Sequence, residues 1–472
     1  MGKPVKVTVI GAGSVQFSIG VVKDLCLTEN LAGSHVTLMD IDAERLETIH
    51  KLAERYVKEL GGSLTFDRTT DRRRALQDAD FVINTAGKER QPREGRRALF
   101  EKYGRVGGNF HVGYMYNMAL MLDIARDVEA VCPDAWLIQS GNPVREGVPL
   151  LTRETGVKVI GLCHGHYGYI NVAKTLGLDP DKVSWTAPGL NHCIWLTDFR
   201  YEGEDAYPIL DRWIENEAEA YWRDRAENRD KYGLEDQMSR MVIDQYRKFG
   251  LLPIGDTTRG GGWWYKTDID TRVFWYGPWG GFGSELHRQP WHASLAKRLE
   301  AIQAVTSDPS RSVLEAFPPV KTREQQIPII DALTNDVAGT FQINVPNQGA
   351  LPGVPDHMVT ELPVIIDKGG LHRIQLEPLP NKLMLEVIQP HVLAIEWGVE
   401  AYVTGDAEML VDALLMLNAF DHGGPTATSY AQAKGFIEDL LALPDEQDWA
   451  GQFKMRRPAW ARVLERPDSA QS

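Results

Sequence analysis

The 472-residue chain is 43% hydrophobic and 25% charged, ordinary globular usage that excludes disordered and fibrous proteins. Its formal charge of −14, with no long basic block, excludes a nucleic-acid binder, which needs clustered Lys and Arg. No stretch approaches the roughly 18 apolar residues of a membrane helix, and four scattered cysteines make no disulfide framework, so a cytoplasmic chain is expected.

Lys6–Ile10 is a β-branched run that stops at Gly11-Ala12-Gly13-Ser14, and a helical pattern follows through Phe17, Val21, Val22, Leu25 and Leu27. Strand, glycine turn and helix in that order are the setting of a dinucleotide site. Gly11 permits the tight turn, and Gly13 lets the backbone approach a pyrophosphate that sits with Ser14 at the helix N-terminus. Gln16 stands where a third glycine is usual, and an ordinary strand-to-helix turn is the plainer alternative. His35–Met39 is a second strand, and Asp40 at its end is placed to accept ribose hydroxyls. No arginine directly follows Asp40, which favours NAD over NADP. Its alternative role is to cap the helix that starts near Asp42.

Residues 80–86 form a third strand with Asn84 near its end. Residues 136–139 lead into Ser140-Gly141-Asn142-Pro143, and residues 157–162 into Cys163-His164-Gly165-His166. Helical segments near 42–60, 115–131 and 145–154 separate these strands. The alternation predicts an α/β fold with an N-terminal Rossmann-like, doubly wound parallel sheet over residues 1–195, like that of lactate and malate dehydrogenases. A C-terminal mixed α/β (α+β) domain is expected over 196–472. It would have helices near 209–248, 292–306 and 380–417, and strands near 339–345 and 359–366. Ligands of such sheets bind at the carboxyl ends of the strands, so Gly11, Asn84, Asn142 and Cys163 should face one crevice.

Cys163 and His192 come from separate segments, and a thiolate with an imidazole makes a two-ligand metal site with open positions. Taken singly, a buried small hydrophobe and a satisfied core histidine explain them as well. Cys193 should point away from His192, because neighbours in a strand face opposite sides. In the glycine-rich stretch 253–262, Asp256 is a candidate general base and Arg259 a candidate carboxylate clamp. An Asx-turn followed by a surface arginine is the alternative. Trp263, Trp264, Trp275, Trp279 and Trp291 crowd the next segment, suited either to stacking on sugars or to a subunit interface.

Gly11-Ala12-Gly13-Ser14, Asn142-Pro143-Val144, Cys163-His164-Gly165, Asn191-His192 and Asn344-Val345-Pro346-Asn347-Gln348-Gly349 occur in that order. Together they resemble glycoside hydrolase family 4, NAD- and manganese-dependent enzymes outside the usual two-carboxylate mechanism. The resemblance spans roughly the whole chain and is weakest after about residue 440. It implies NAD and Mn2+, or another divalent ion, as cofactors, with the metal on Cys163 and His192 and the sugar hydroxyls on Asn142. It implies transient oxidation at C3 of the sugar, removal of the C2 proton by Asp256, leaving-group departure helped by His164, and water addition. Cys163-His164-Gly165 and the run from Pro253 to Thr257 resemble the α-glucuronidase branch. An α-linked uronic acid glycoside would then be the substrate, with Arg259 or Arg288 meeting its carboxylate and His166 lining the sugar. A homodimer or homotetramer is expected on the same ground. An α-galacturonidase of the same family, an NAD dehydrogenase with net oxidation, and a silent NAD-binding regulator are the alternatives.

Overall fold

The computed structural model describes residues 2–14, 17–87, 94–106, 115–416, 420–421 and 429–455. Six short strands of the first half pair in parallel. They are β1 (Lys6–Ile10), β2 (His35–Met39), β3 (Thr65–Thr69), β4 (Phe81–Asn84), β5 (Trp136–Gln139) and β6 (Lys158–Gly161). Their order is β3-β2-β1-β4-β5-β6, the doubly wound arrangement that opens a crevice between β1 and β4, where the order reverses. Strands buried on both faces read as unbroken apolar runs, which is why most of these are visible in the sequence. The exception is β3, Thr65-Phe66-Asp67-Arg68-Thr69. It is a polar edge strand with no fully buried residue, and the sequence reading passes over it.

The connecting helices include Ser18–Cys26, Ala43–Leu60, Met115–Val131 and Val144–Glu154, close to the expected bounds. Ala43–Leu60 is capped at its start by Asp42, whose carboxylate accepts from the N–H groups of Glu44 and Arg45, and it ends at left-handed Gly61. Asp42 therefore does the capping that was the alternative role for Asp40.

Among the described residues, the second half builds no large sheet of its own. Instead β7 (Gly189–Leu190), β8 (Cys193–Leu196), β9 (Leu252–Ile254), β10 (Gly339–Pro346), β11 (Val359–Asp367) and β12 (Gly370–Arg373) extend the first one. They continue it antiparallel in the order β6-β10-β11-β7-β8-β9, with β12 paired to the end of β11 on the same edge as β7. The expected division at residue 195 falls inside β8 of this continuous sheet. The helical stretch expected near 209–248 is three helices, Tyr207–Asn216, Ala218–Glu227 and Arg240–Phe249. They close a second, smaller core around Phe199, Trp213, Met241 and Tyr265, while the main core runs along the sheet and the C-terminal helices.

Candidate functional site

At the end of β1, Gly11 takes a left-handed φ of 83°, and a Cβ there would lie 2.5 Å from the backbone nitrogen of Ala86. Only glycine fits that turn. The N–H of Gly13 donates to Asp40 Oδ2 at 2.7 Å, while Asp40 Oδ1 accepts from the N–H of Asp42 at 2.9 Å. The carboxylate at the end of β2 is thus fixed beside the glycine turn, at the place from which a ribose is read. Ser14 closes the turn, its N–H donating to Gly11 O, and Gln16 lies outside the described residues. Asn84 departs from expectation. It is fully buried, its amide donates to Gln139 Oε1 and its carbonyl accepts from Ala86 N–H, so it braces the loops after β4 and β5 instead of facing a ligand. Asn142, in the loop after β5, is exposed, and its backbone carbonyl accepts from Asn117 Nδ2 at 3.1 Å.

The second cluster forms where two loops meet the crevice. Asn191 and His192 make the two-residue turn between β7 and β8, with Cys193 opposite Leu190. His192 holds φ at 62°, a conformation that costs a β-carbon residue on the order of 1 kcal/mol. The neighbouring loop, Gly255–Arg259, leaves β9 and is tied down at several points. Gly255 N–H donates to Gln237 Oε1 at 2.7 Å, and Thr257 Oγ1 both accepts from Ile194 N–H and donates to Ile194 O. Gly255 packs so closely on Gly165 that a Cβ there would come within 2.1 Å of the Gly165 carbonyl. Glycines on both loops therefore permit the approach that brings Asp256 to Cys163.

The donor atoms of Cys163, His192 and Asp256 all lie within 4.8 Å of one another, with His192 Nε2 3.0 Å from Asp256 Oδ2. Burial alone would depress the His192 ring, but Asp256 and Cys163 outweigh it and lift its pKa well above the usual value. Burial pushes the Cys163 thiol up, and His192 partly offsets this. Burial would also raise Asp256, yet His192 and Arg259 hold it well below the ordinary carboxylate range. A carboxylate so stabilised is a poor proton acceptor, which counts against its expected role as base and suits a third metal donor. Thiolate, imidazole and carboxylate converging with open positions fit a divalent transition ion, taken up with loss of the His192 proton.

Arg259 is also placed differently from expectation. Its Nη1 lies 2.9 Å from Asp256 and its Nη2 2.6 Å from Glu235, with the guanidinium over the Phe282 ring. The expected clamp for a substrate carboxylate closes on two carboxylates of this chain. Arg288 is exposed at the start of helix Glu285–Ser307, its Nε donating to the Ser284 carbonyl, while its neighbour His287 turns inward. His166 is buried, stacked at 5.7 Å on Trp185 and packed on Tyr167. Burial, helped by nearby His164, holds it neutral, with its pKa lowered to about 3. It is a packing residue, a correction to its place among the sugar contacts. Cys193 does point away, buried in the sheet, with burial raising its thiol to about 12.

Two carboxylates at the site went unread in the sequence. Glu324 Oε1 lies 2.7 Å from His164 Nδ1, and the His164 ring stacks on Phe17. Glu361, 1% exposed in β11, sits between Asn344 of β10 and Gly189 of β7, and its Oε2 accepts from Asn191 Nδ2 at 3.1 Å. The Glu361 signal was present, as an acid directly before the apolar run Leu362-Pro363-Val364-Ile365-Ile366 of the same strand.

The model of the family 4 glycosyl hydrolases matches residues 6–178, and that of the family 4 glycosyl hydrolase C-terminal domain matches residues 187–418. The chain belongs to glycosyl hydrolase family 4. Among this family 4 chain's relatives, an alpha-galactosidase of Bacillus subtilis (strain 168) is 25% identical over 468 residues, 95% of this chain and 100% of its own length. An alpha-galacturonidase of Thermoanaerobacterium saccharolyticum is 24% identical over 461 residues, covering 93% of this chain and 95% of that one. A solved 6-phospho-alpha-glucosidase from gut microorganisms, in complex with NAD and Mn2+, superposes with a TM-score of 0.74 at 19% identity, over 96% of this chain and 100% of its own. At that identity the likeness is one of fold.

Proposed function

We propose that this family 4 enzyme hydrolyses α-linked uronic acid glycosides as an α-glucuronidase, with NAD and a divalent cation such as Mn2+. The observation that carries the reading is the convergence of Cys163, His192 and Asp256 at the mouth of a crevice whose glycine turn and Asp40 suit a dinucleotide. The solved relative with NAD and Mn2+ supports the same pair of cofactors. Bound there, NAD would supply reversible hydride acceptance from the sugar, and the cation would polarise the sugar oxygens beside it.

The chain's own residues bind the cofactors and the sugar and serve the leaving group. Gly11 and Gly13 let the backbone reach a pyrophosphate, and Asp40 holds the adenosine ribose. Cys163, His192 and Asp256 hold the cation, with Arg259 keeping the Asp256 carboxylate in place. Asn142, exposed at the end of β5, hydrogen-bonds the sugar hydroxyls. His164 gives its proton to the glycosidic oxygen as the bond to C1 breaks. The uronate preference rests on Cys163-His164-Gly165. The curated alpha-galacturonidases among its relatives favour a second reading, in which galacturonate takes the place of glucuronate.

A panel of p-nitrophenyl α-D-glucuronide, α-D-galacturonide and α-D-glucoside, with Mn2+, NAD+ and a thiol reductant, separates these readings. Turnover of the glucuronide above the other two is expected. Preference for the galacturonide moves the chain to the second reading, and preference for the neutral glucoside overturns both. EDTA should abolish turnover, and Cys163→Ser should weaken Mn2+ binding measured directly by calorimetry.

A further inference from the structure

Residues 321–326 connect three parts of the crevice. Thr322 donates from its N–H to Asp24 Oδ1 at 2.6 Å and from its hydroxyl to Asp24 Oδ2. Asp24 is buried on Ser18–Cys26, the helix that follows the glycine turn. Gln326 Nε2 donates to Ser140 Oγ at 3.1 Å, in the loop after β5. The N–H of Glu324 donates to Thr322 Oγ1 at 3.1 Å, so the backbone of Glu324 is fixed relative to the dinucleotide helix. From this support its carboxylate reaches His164 Nδ1 at 2.7 Å. Phe17, just before the same helix, lies against the imidazole at 5.8 Å between ring centroids and 20° between planes. One carboxylate and one aromatic ring, both anchored to the dinucleotide helix, thus restrain the ring.

We propose that Glu324 is a positioning residue that fixes the rotation of His164 and keeps a proton on Nδ1, leaving Nε2 as the nitrogen that serves the leaving group. The inference rests on the hydrolytic reading above. In the step it supports, the electron pair left at C2 by loss of its proton forms the C1–C2 double bond as the C1–O bond breaks. The C1–O pair stays with the departing oxygen, and that oxygen takes the proton from His164 Nε2. Glu324 remains ionised throughout. A role in stability does not explain the pair. Side chains 47% and 29% exposed make a solvent-screened ion pair of the kind that adds little to folding. Glu324→Gln should therefore fold, and its effect should fall on chemistry.

The test uses leaving groups of different basicity. A phenolate with an electron-withdrawing group departs with little help, whereas an alkoxide needs a proton. With NAD+ and Mn2+ present, Glu324→Gln should lose roughly 100-fold in kcat on methyl α-D-glucuronide and only a few-fold on the p-nitrophenyl glycoside. Glu324→Asp should recover part of the loss, and NAD+ affinity should be unchanged. Glu324→Gln combined with His164→Ala should be no slower than His164→Ala alone, because the carboxylate acts through the ring. An equal loss on both leaving groups, or additive losses in the double variant, would overturn the assignment while the hydrolytic reading stands. Absence of turnover by the unmodified enzyme on either glycoside would overturn both.

Discussion

Glu361 offers a prediction whose sign and size follow from its surroundings. Its carboxyl lies in the middle of the sheet, in register with Asn344 and Gly189, and one oxygen accepts from Asn191. Among the described residues, no donor reaches the other oxygen, Asn191 Oδ1 or Asn344 Oδ1 with good hydrogen-bond geometry, although the Asn344 side chain lies close enough to favour the Glu361 carboxylate. A proton on Glu361 adds a donor to this surplus of acceptors. Burial raises its pKa from the usual 4.5 to about 7, partly offset by the Asn191 hydrogen bond and by His192. The folded chain thus holds this proton more tightly than the unfolded chain does. The resulting stabilisation is full below pH 4.5, declines as the pH rises, and is lost above about pH 7. Across that interval, at about 1.4 kcal/mol per pH unit, it amounts to about 3 kcal/mol. Glu361→Gln keeps the shape and the Asn191 contact but has no proton to lose. In urea unfolding with EDTA present, wild-type stability minus that of Glu361→Gln should fall by about 3 kcal/mol between pH 4.5 and 7.5. A divalent cation should shift the decline to lower pH, because a nearby positive charge favours the ionised form. Parallel pH profiles for the two proteins in EDTA would refute the reasoning.

Three further outcomes follow from close packing and buried charge. Gly255→Ala combines a left-handed φ of 62° with a contact of 2.1 Å to the Gly165 carbonyl, so it should cost about 2–4 kcal/mol in chemical denaturation and displace Asp256. Gly13→Ala would put its Cβ 2.8 Å from Asp40 Oδ2, and NAD+ titration should show at least roughly tenfold weaker binding with little loss of stability. Glu446 binds both Nε and Nη2 of buried Arg96, at 2.5 and 2.6 Å, and accepts from Trp449 Nε1. Glu446→Ala removes this two-point carboxylate contact from the buried guanidinium and should lower unfolding stability by about 3–5 kcal/mol.

Apart from β3, the parallel half of the fold was legible because its strands are largely apolar runs that lead into glycine or polar loops and are separated by helices. What the sequence concealed was the reach of the sheet. The strands β7 to β12 come from separate stretches of the chain, 189–196, 252–254 and 339–373, and nothing local says that β10 pairs with β6. Of the three candidate metal donors, two were visible. Cys163 and His192 stood out by residue type, while Asp256 was noticed but given a different part, because its partners Arg259 and His192 act on it only in three dimensions. His166 was read as a sugar contact because it lies beside candidate site residues in the chain, whereas its ring packs against Trp185, out of sight of a local reading. Glu324 could not be found from the chain alone. Its contact with His164 joins residues 160 positions apart, and the segment around it has no motif.

The central claim is that a dinucleotide crevice here serves a hydrolysis with no net redox change. The most direct test follows nitrophenol and NADH together in one cuvette, with enzyme, Mn2+, a reductant, p-nitrophenyl α-D-glucuronide and NAD+ at enzyme-equivalent concentration. The account predicts many equivalents of nitrophenol per NAD+ and no accumulation of NADH. NADH accumulating to the full NAD+ added, with no nitrophenol released, would contradict it and make the chain a dehydrogenase.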